Sequence, residues 1–200
     1  MCIHLQFNHK KAAQALNFLA IKAGGRISKL RALKLIFFAD RYHLRKYGRP
    51  ITNDEYFAMP YGPVASSVKD IAEFSEFLGD SEREYASSFI KPSGHDVVSK
   101  GEYDKKIFSN SDLESLEFAW KKFGRVNDFR LAKITHLYPE WKKHESALVE
   151  KSVTRVKMRY EDFFEDPTAD VEKCFDLTGK EKAARLAHIK EISKIEAMLG

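Results

Sequence analysis

The chain has 200 residues, 44% of them hydrophobic and 32% charged, which suits one globular domain with an appendage. No stretch approaches the roughly 20 unbroken apolar residues of a membrane helix, and Met1 to Gln6 followed by Asn8, His9, Lys10 and Lys11 holds no leader-like apolar core, so the expected location is the cytoplasm with no membrane partner. The two cysteines, Cys2 and Cys174, are far apart and form no CxxC, which fits a reducing compartment and excludes a thiolate zinc site.

Charge is unevenly placed. Lys plus Arg against Asp plus Glu number 11 and 1 over residues 1–50, 4 and 9 over 51–100, 9 and 9 over 101–150, and 10 and 10 over 151–200. A first quarter at +10 before a second at −5 points to an anionic partner or to an internal match between neighbouring segments.

In chain order, Ala12, Ala13, Ala15, Leu16, Leu19, Ala20 and Ala23 recur at helical spacing after Asn8 as cap, predicting a helix over 10–23 that Gly24 and Gly25 end. Ser28 caps a second helix, 29–47, closed by Gly48 and Pro50. Residues 51–64 read as short extended chain around the turn Pro60-Tyr61-Gly62-Pro63. A third helix spans about 64–78, and 88–91 with 96–99 form a small hairpin around Pro92-Ser93-Gly94. Ser111-Asp112-Leu113-Glu114 is a capping box opening a helix to Phe123. Another runs from Asn127 or Asp128 to about Tyr138, with Phe129, Leu131, Ala132, Ile134 and Leu137 as its apolar content. Residues 152–164 are ambiguous between strand and helix. Asp166-Pro167 starts one more helix, and Thr178-Gly179-Lys180-Glu181 is a capping box for a charged helix ending near Leu199. The thin apolar stripe of that last helix (Ala184, Ala187, Ile192, Ile195, Leu199) marks an exposed or partner-packed appendage.

Together these elements predict a mainly α fold: a compact helical domain of about five to seven helices with a small β-hairpin over 1–150, and a C-terminal helical extension, 151–200, packed on the same domain.

The second helix carries the most information. At 100° per residue, Leu30, Leu33, Ile36, Phe37, Leu44 and Tyr47 fall in one arc of about 120°. Asp40 lies in the middle of it, so its carboxylate must find donors or shift its pKa upward, and a tie to a backbone turn or an Arg is favoured over catalysis. Asp40 and His43 share an i, i+3 spacing, but two ligands without a third make no metal site. Arg31, Lys34, Arg41 and Arg45 line a second arc, with Phe38, Tyr42 and Leu35 beside them. Two readings stand here: an interaction face for protein or nucleic acid, or aromatics covered by another helix while the cationic stems run past them to solvent. The first two helices and the hairpin also match the start and wing of a winged helix, although the second helix spends its middle on core residues.

Enzyme motifs are missing: no Walker-type loop, GxSxG, HExxH or GxGxxG occurs, and the seven histidines form no spaced cluster. The reading is therefore a non-enzyme without cofactor or metal.

Three features are jointly distinctive: Lys34-Leu35-Ile36-Phe37-Phe38-Ala39-Asp40 in the second helix, the exit Tyr47-Gly48-Arg49-Pro50-Ile51, and the turn Ala58-Met59-Pro60-Tyr61-Gly62-Pro63-Val64. They resemble the Panacea domain, the SocA-like and GepA-like group of bacterial and phage-associated proteins. The likeness is strongest over 29–64 and fades through 80–145. It implies a mainly helical antitoxin domain that neutralises a cognate toxin by direct protein contact, the SocA-like branch acting as an adaptor that delivers its toxin to a protease. The family offers no catalytic residues to carry over. The matching positions Lys34, Asp40, Gly48, Pro60, Gly62 and Pro63 are domain-defining, read as a helix C-cap and a rigid turn. The residues expected to touch the partner are Arg41, Arg45, Arg49, Tyr56, Met59 and Tyr61. The alternative is a nucleic-acid-binding regulator that uses the basic first quarter. In that quarter's neighbourhood, Asp70, Glu73 and Glu76 of the third helix are expected to match part of the charge.

Overall fold

The computed structural model describes residues 3–199; Cys2 and the side chain of Leu199 lie outside what it describes. In chain order the elements are α1 (His9–Lys22), β1 (Arg26–Ser28), α2 (Lys29–Tyr47), β2 (Tyr56–Met59), β3 (Gly62–Ala65), α3 (Ser66–Glu73) and α4 (Asp80–Phe89). They continue with β4 (Ile90–Ser93), β5 (Asp96–Ser99), α5 (Asn110–Phe123), α6 (Asp128–Thr135), α7 (Pro139–Lys142), α8 (Glu145–Val149), β6 (Val156–Lys157) and α9 (Gly179–Leu199), with single 3-10 turns at Lys105–Ile107 and Tyr160–Phe164.

Local chemistry explains the long helices. Asn8 Oδ1 accepts the Lys11 amide at 2.9 Å to open α1, and Ser28 Oγ accepts the Arg31 amide at 3.1 Å to open α2. Gly48, at φ 79°, closes α2 in the left-handed conformation that only glycine enters freely. α1 is buried on all sides from Ala12 to Ala20, and its alanines Ala12, Ala13, Ala15 and Ala20 allow close approach to its neighbours. α2 is the spine. It packs against α1, α3, α5, α6, β3 and α9, and Phe38 stacks on Phe123 of α5 with centroids 3.8 Å apart.

The mainly α expectation is corrected. Among the described residues there are nine α-helices and two three-stranded antiparallel sheets, a helix-rich mixed fold. β1 joins the 90–99 hairpin to give the order β1-β5-β4, and β6 joins the β2–β3 hairpin to give β3-β2-β6. β1 and β6 are three and two residues long, too short to leave a period-2 pattern. The extra helices are short pieces that turns interrupt. The 64–78 helix stops at Glu73, where Phe74 turns left-handed at φ 53°, and Gly79 precedes α4 instead of ending α3. On α5 the capping box uses Ser109 and Asp112, two residues upstream of the expected one. Asp166-Pro167 starts no helix: residues 165–178 are irregular, and the Asp166 carboxylate receives Arg45 and Lys182 instead of a helix amide.

The segment beyond residue 150 lies against α2. Ile189 of α9 is fully buried, a Cβ at Gly48 would stand 2.8 Å from His188, and the N-terminal residues His4 and Gln6 donate their amides to Ser193 Oγ and Glu196 Oε2.

Candidate functional site

Asp40 organises the exit from α2. Its carboxylate accepts the Ile51 amide at 2.7 Å, the Thr52 amide at 3.3 Å, the Thr52 hydroxyl at 2.7 Å and the Tyr56 hydroxyl at 2.9 Å. Burial pushes its pKa up, opposed by these bonds. One turn on, His43 Nδ1 donates to the Arg49 carbonyl at 2.6 Å, while Nε2 lies 3.0 Å from Ser111 Oγ and 3.2 Å from Asp112. Burial opposes ionisation of Asp112, but bonds from His43, Lys11 and the Ser109 amide hold its carboxyl well below the usual range, with Arg49 adding charge at 3.1 Å. Asp40 and His43 thus serve different neighbours.

The cationic arc of α2 faces inward. Arg41 and Arg45 are both fully buried. Arg41 Nε donates to Glu140 Oε1 at 2.7 Å, Nη2 to the Glu165 carbonyl at 2.8 Å and Nη1 to the Lys173 carbonyl. Arg45 Nε donates to the Phe175 carbonyl at 2.8 Å, Nη1 to those of Phe163 and Glu165, and Nη2 to Asp166. These planar forks hold the irregular 163–175 segment by its backbone, which needs no helix or sheet partner as a result. Arg31 pairs with Asp128 at 2.6 Å. The acidic third helix is not their counterpart, since Glu73 pairs with Lys69 at 2.6 Å and Asp70 accepts the Ser75 hydroxyl.

Lys34 supports the Met59–Pro63 turn from beneath. Its Nζ donates to the Pro63 carbonyl at 2.6 Å, and burial lowers its pKa to about 7. Gly62, at φ 95°, passes so close that a Cβ there would stand 2.3 Å from Thr135 Oγ1 and 3.2 Å from Lys34 Nζ. From the other side Trp141 Nε1 donates to the Met59 carbonyl at 2.9 Å, with His136 stacked on the indole at 3.7 Å. Burial, with the Lys34 charge adding, lowers the His136 pKa to about 4.

Of the six residues expected to touch a partner, Arg41, Arg45 and Tyr56 are therefore buried and internally bonded, and Arg49 is half-buried against Asp112. Met59 is half-buried, and Tyr61, at the tip of the braced turn, is 67% exposed. The structure does not bring the six into one surface. The motif residues Lys34, Asp40, Gly48, Gly62 and Pro63 are buried, and Pro60 is exposed beside Tyr61.

The helix expected to about Tyr138 ends at Thr135, and a second exposed group lies on it and just past its end. Leu131, Ala132 and Thr135 turn inward, whereas Phe129 is 67% and Leu137 38% exposed, with Arg130 and Lys133 exposed between them. The unequal roles of apolar residues on so short a helix are the available signal: at 100° per residue Phe129, Arg130 and Lys133 share one arc of about 100° opposite the inward three, and Leu137 follows in the turn past the helix.

Among the described residues no helix is long and apolar enough to cross a membrane, and no group of three or more His, Cys, Asp or Glu is placed to hold a metal. No curated protein and no solved structure matches the chain. A family model does, over residues 33–142, which takes in α2 from its second turn on, the 58–64 turn, α5, α6 and α7. With the Lys34-to-Asp40 helix, its glycine exit and the lysine-braced turn all inside that span, the chain belongs to the antitoxin SocA-like, Panacea domain family.

Proposed function

We propose that this antitoxin-family protein neutralises a toxin encoded nearby by binding it directly, acting through contact and not catalysis. The observation that carries the reading is the Met59–Pro63 turn, a family motif held from below by Lys34 and from the side by Trp141, which presents Tyr61 to solvent on a rigid mount. Met59 and Tyr61 touch the toxin. Arg41, Arg45 and Tyr56 build the mount, and Arg49 locks the α2 exit to Asp112. The basic first quarter offers little to nucleic acid, because Arg31, Arg41, Arg45 and Arg49 already have acidic partners within the chain. Proteolytic delivery is the finer form of this function, and it requires the toxin to disappear from cells in a protease-dependent way.

The test is co-expression with the neighbouring open reading frame. The neighbour alone should stop growth, and growth should return when this protein is present. A harmless neighbour, or equal toxicity with and without the protein, would end the reading.

A further inference from the structure

Most cationic side chains on α2 are neutralised inside the molecule, but most of those at the α5–α6 junction are not. Residues 121–133 hold Lys121, Lys122, Arg125, Arg130 and Lys133 against Asp128 alone. Lys122 pairs with Glu172, and Asp128 is taken by Arg31. No hydrogen bond or ion pair with a described residue engages the side chains of Lys121, Arg125, Arg130 or Lys133. The uncompensated charge therefore lies where the quarter-by-quarter count of 9 against 9 hides it.

The same place shows bare apolar surface. Phe129 lies on the Arg130–Lys133 side of α6, Leu137 is exposed in the turn just past its end, and the C-terminal end of α6 abuts the 59–63 turn, where Gly62 meets Thr135. Tyr61 is the residue before that contact, and Leu137 lies two residues beyond it. Aromatic side chains and Arg, fixed on rigid elements and interleaved with unpaired charge, have the make-up of an interface centre.

We propose that the α6 arc Phe129, Arg130 and Lys133, with Leu137 just past the helix and Tyr61 on the turn that the helix abuts, is a docking surface for the toxin, and that the toxin's matching face is acidic around an apolar recess that admits Phe129. This rests on the antitoxin reading and adds the surface and the chemistry of the partner. Charge complementarity names the occupant: the unpaired cations Arg130 and Lys133 call for carboxylates, and the exposed Phe129 between α5 and the rest of α6 calls for an apolar pocket, which a phosphodiester backbone does not offer. Unpaired cations at the edge act mainly on encounter, so complex formation should fall as salt rises.

The experiment uses the full-length protein with the toxic product of the neighbouring reading frame. Wild type, F129A, R130E/K133E and a control of equal charge change on α9, K190E/K194E, are compared for growth rescue and for binding in 50 and 300 mM salt. All changed residues are exposed, and thermal melts check that each variant folds. R130E/K133E and F129A should each weaken binding about 30-fold or more, and the control should bind as wild type does. Wild-type affinity in both face variants would overturn the surface while leaving the antitoxin reading intact; failure of the wild type to rescue growth would bring down both. If R130E/K133E keeps rescue but abolishes a low-salt shift of duplex DNA, the face belongs to nucleic acid and the proposal falls.

Discussion

Arg41 and Glu140 form an ion pair 2.7 Å long in which both side chains are completely sealed from water. The guanidinium also lies over the Tyr138 ring, 4.6 Å from its centroid. Glu140 Oε2 has no partner among the described residues, so the pair is under-satisfied on its acidic side. Such a pair is costly to break and cheap to replace as a whole. Glu140→Ala should lower the unfolding free energy by about 3–5 kcal/mol, whereas the double replacement R41M/E140M should cost clearly less than the sum of its single changes. Urea unfolding of the four proteins reads this directly, and additive losses would show that the pair is not coupled.

Lys34 makes stability depend on pH in an unusual direction. Its folded pKa of about 7 is below the ordinary 10.5, so the unfolded chain binds more protons between those values. The cost of sealing a charged amine is fully present below pH 7 and disappears as pH rises toward 10.5. Relative to Lys34→Met, the wild type should gain stability over that window, at up to about 1.4 kcal/mol per pH unit. Denaturant titrations of both proteins from pH 6 to 10 would check it, and parallel curves would mean that Lys34 stays charged when folded.

Gly62 is the tightest point of the braced turn. Gly62→Ala needs a side chain at φ 95° and places its Cβ 2.3 Å from Thr135 Oγ1, so a loss of about 2–4 kcal/mol is expected. Gly94 also has positive φ, at 60°, but nothing lies within 4 Å, and Gly94→Ala should cost about 1 kcal/mol or less. Thermal melts separate strain from collision: adding Thr135→Ala should return part of the Gly62→Ala loss.

What could be read from sequence was what is written locally. The bounds of α2 follow from Ser28 and Gly48, whose capping chemistry acts within three or four residues. The place of Asp40 in an apolar arc states that it needs donors, and Ile51, Thr52 and Tyr56, 11 to 16 residues on, provide them. The orientation of Arg41 and Arg45 was not legible, because their acceptors lie 99 to 132 residues away and most are carbonyls, which every residue carries. The same blindness puts a helix start at Asp166-Pro167, a pair suited to one, where the distant Arg45 and Lys182 take that carboxylate instead. α4 escaped notice because only Ala86 of its ten residues is buried, leaving no apolar stripe to follow. For the exposed α6 arc, composition pointed to the core, and burial decided otherwise.

The two buried arginines also set the limits of modularity in this domain. The family span closes at residue 142, yet four carbonyls and one carboxylate that satisfy Arg41 and Arg45 belong to residues 163–175, and α1, which packs against α2, precedes residue 33. A graft confined to 33–142 would carry two cations sealed for acceptors left behind. The unit that can be moved intact between contexts is therefore wider than the unit that similarity outlines, extending at least from α1 to Phe175.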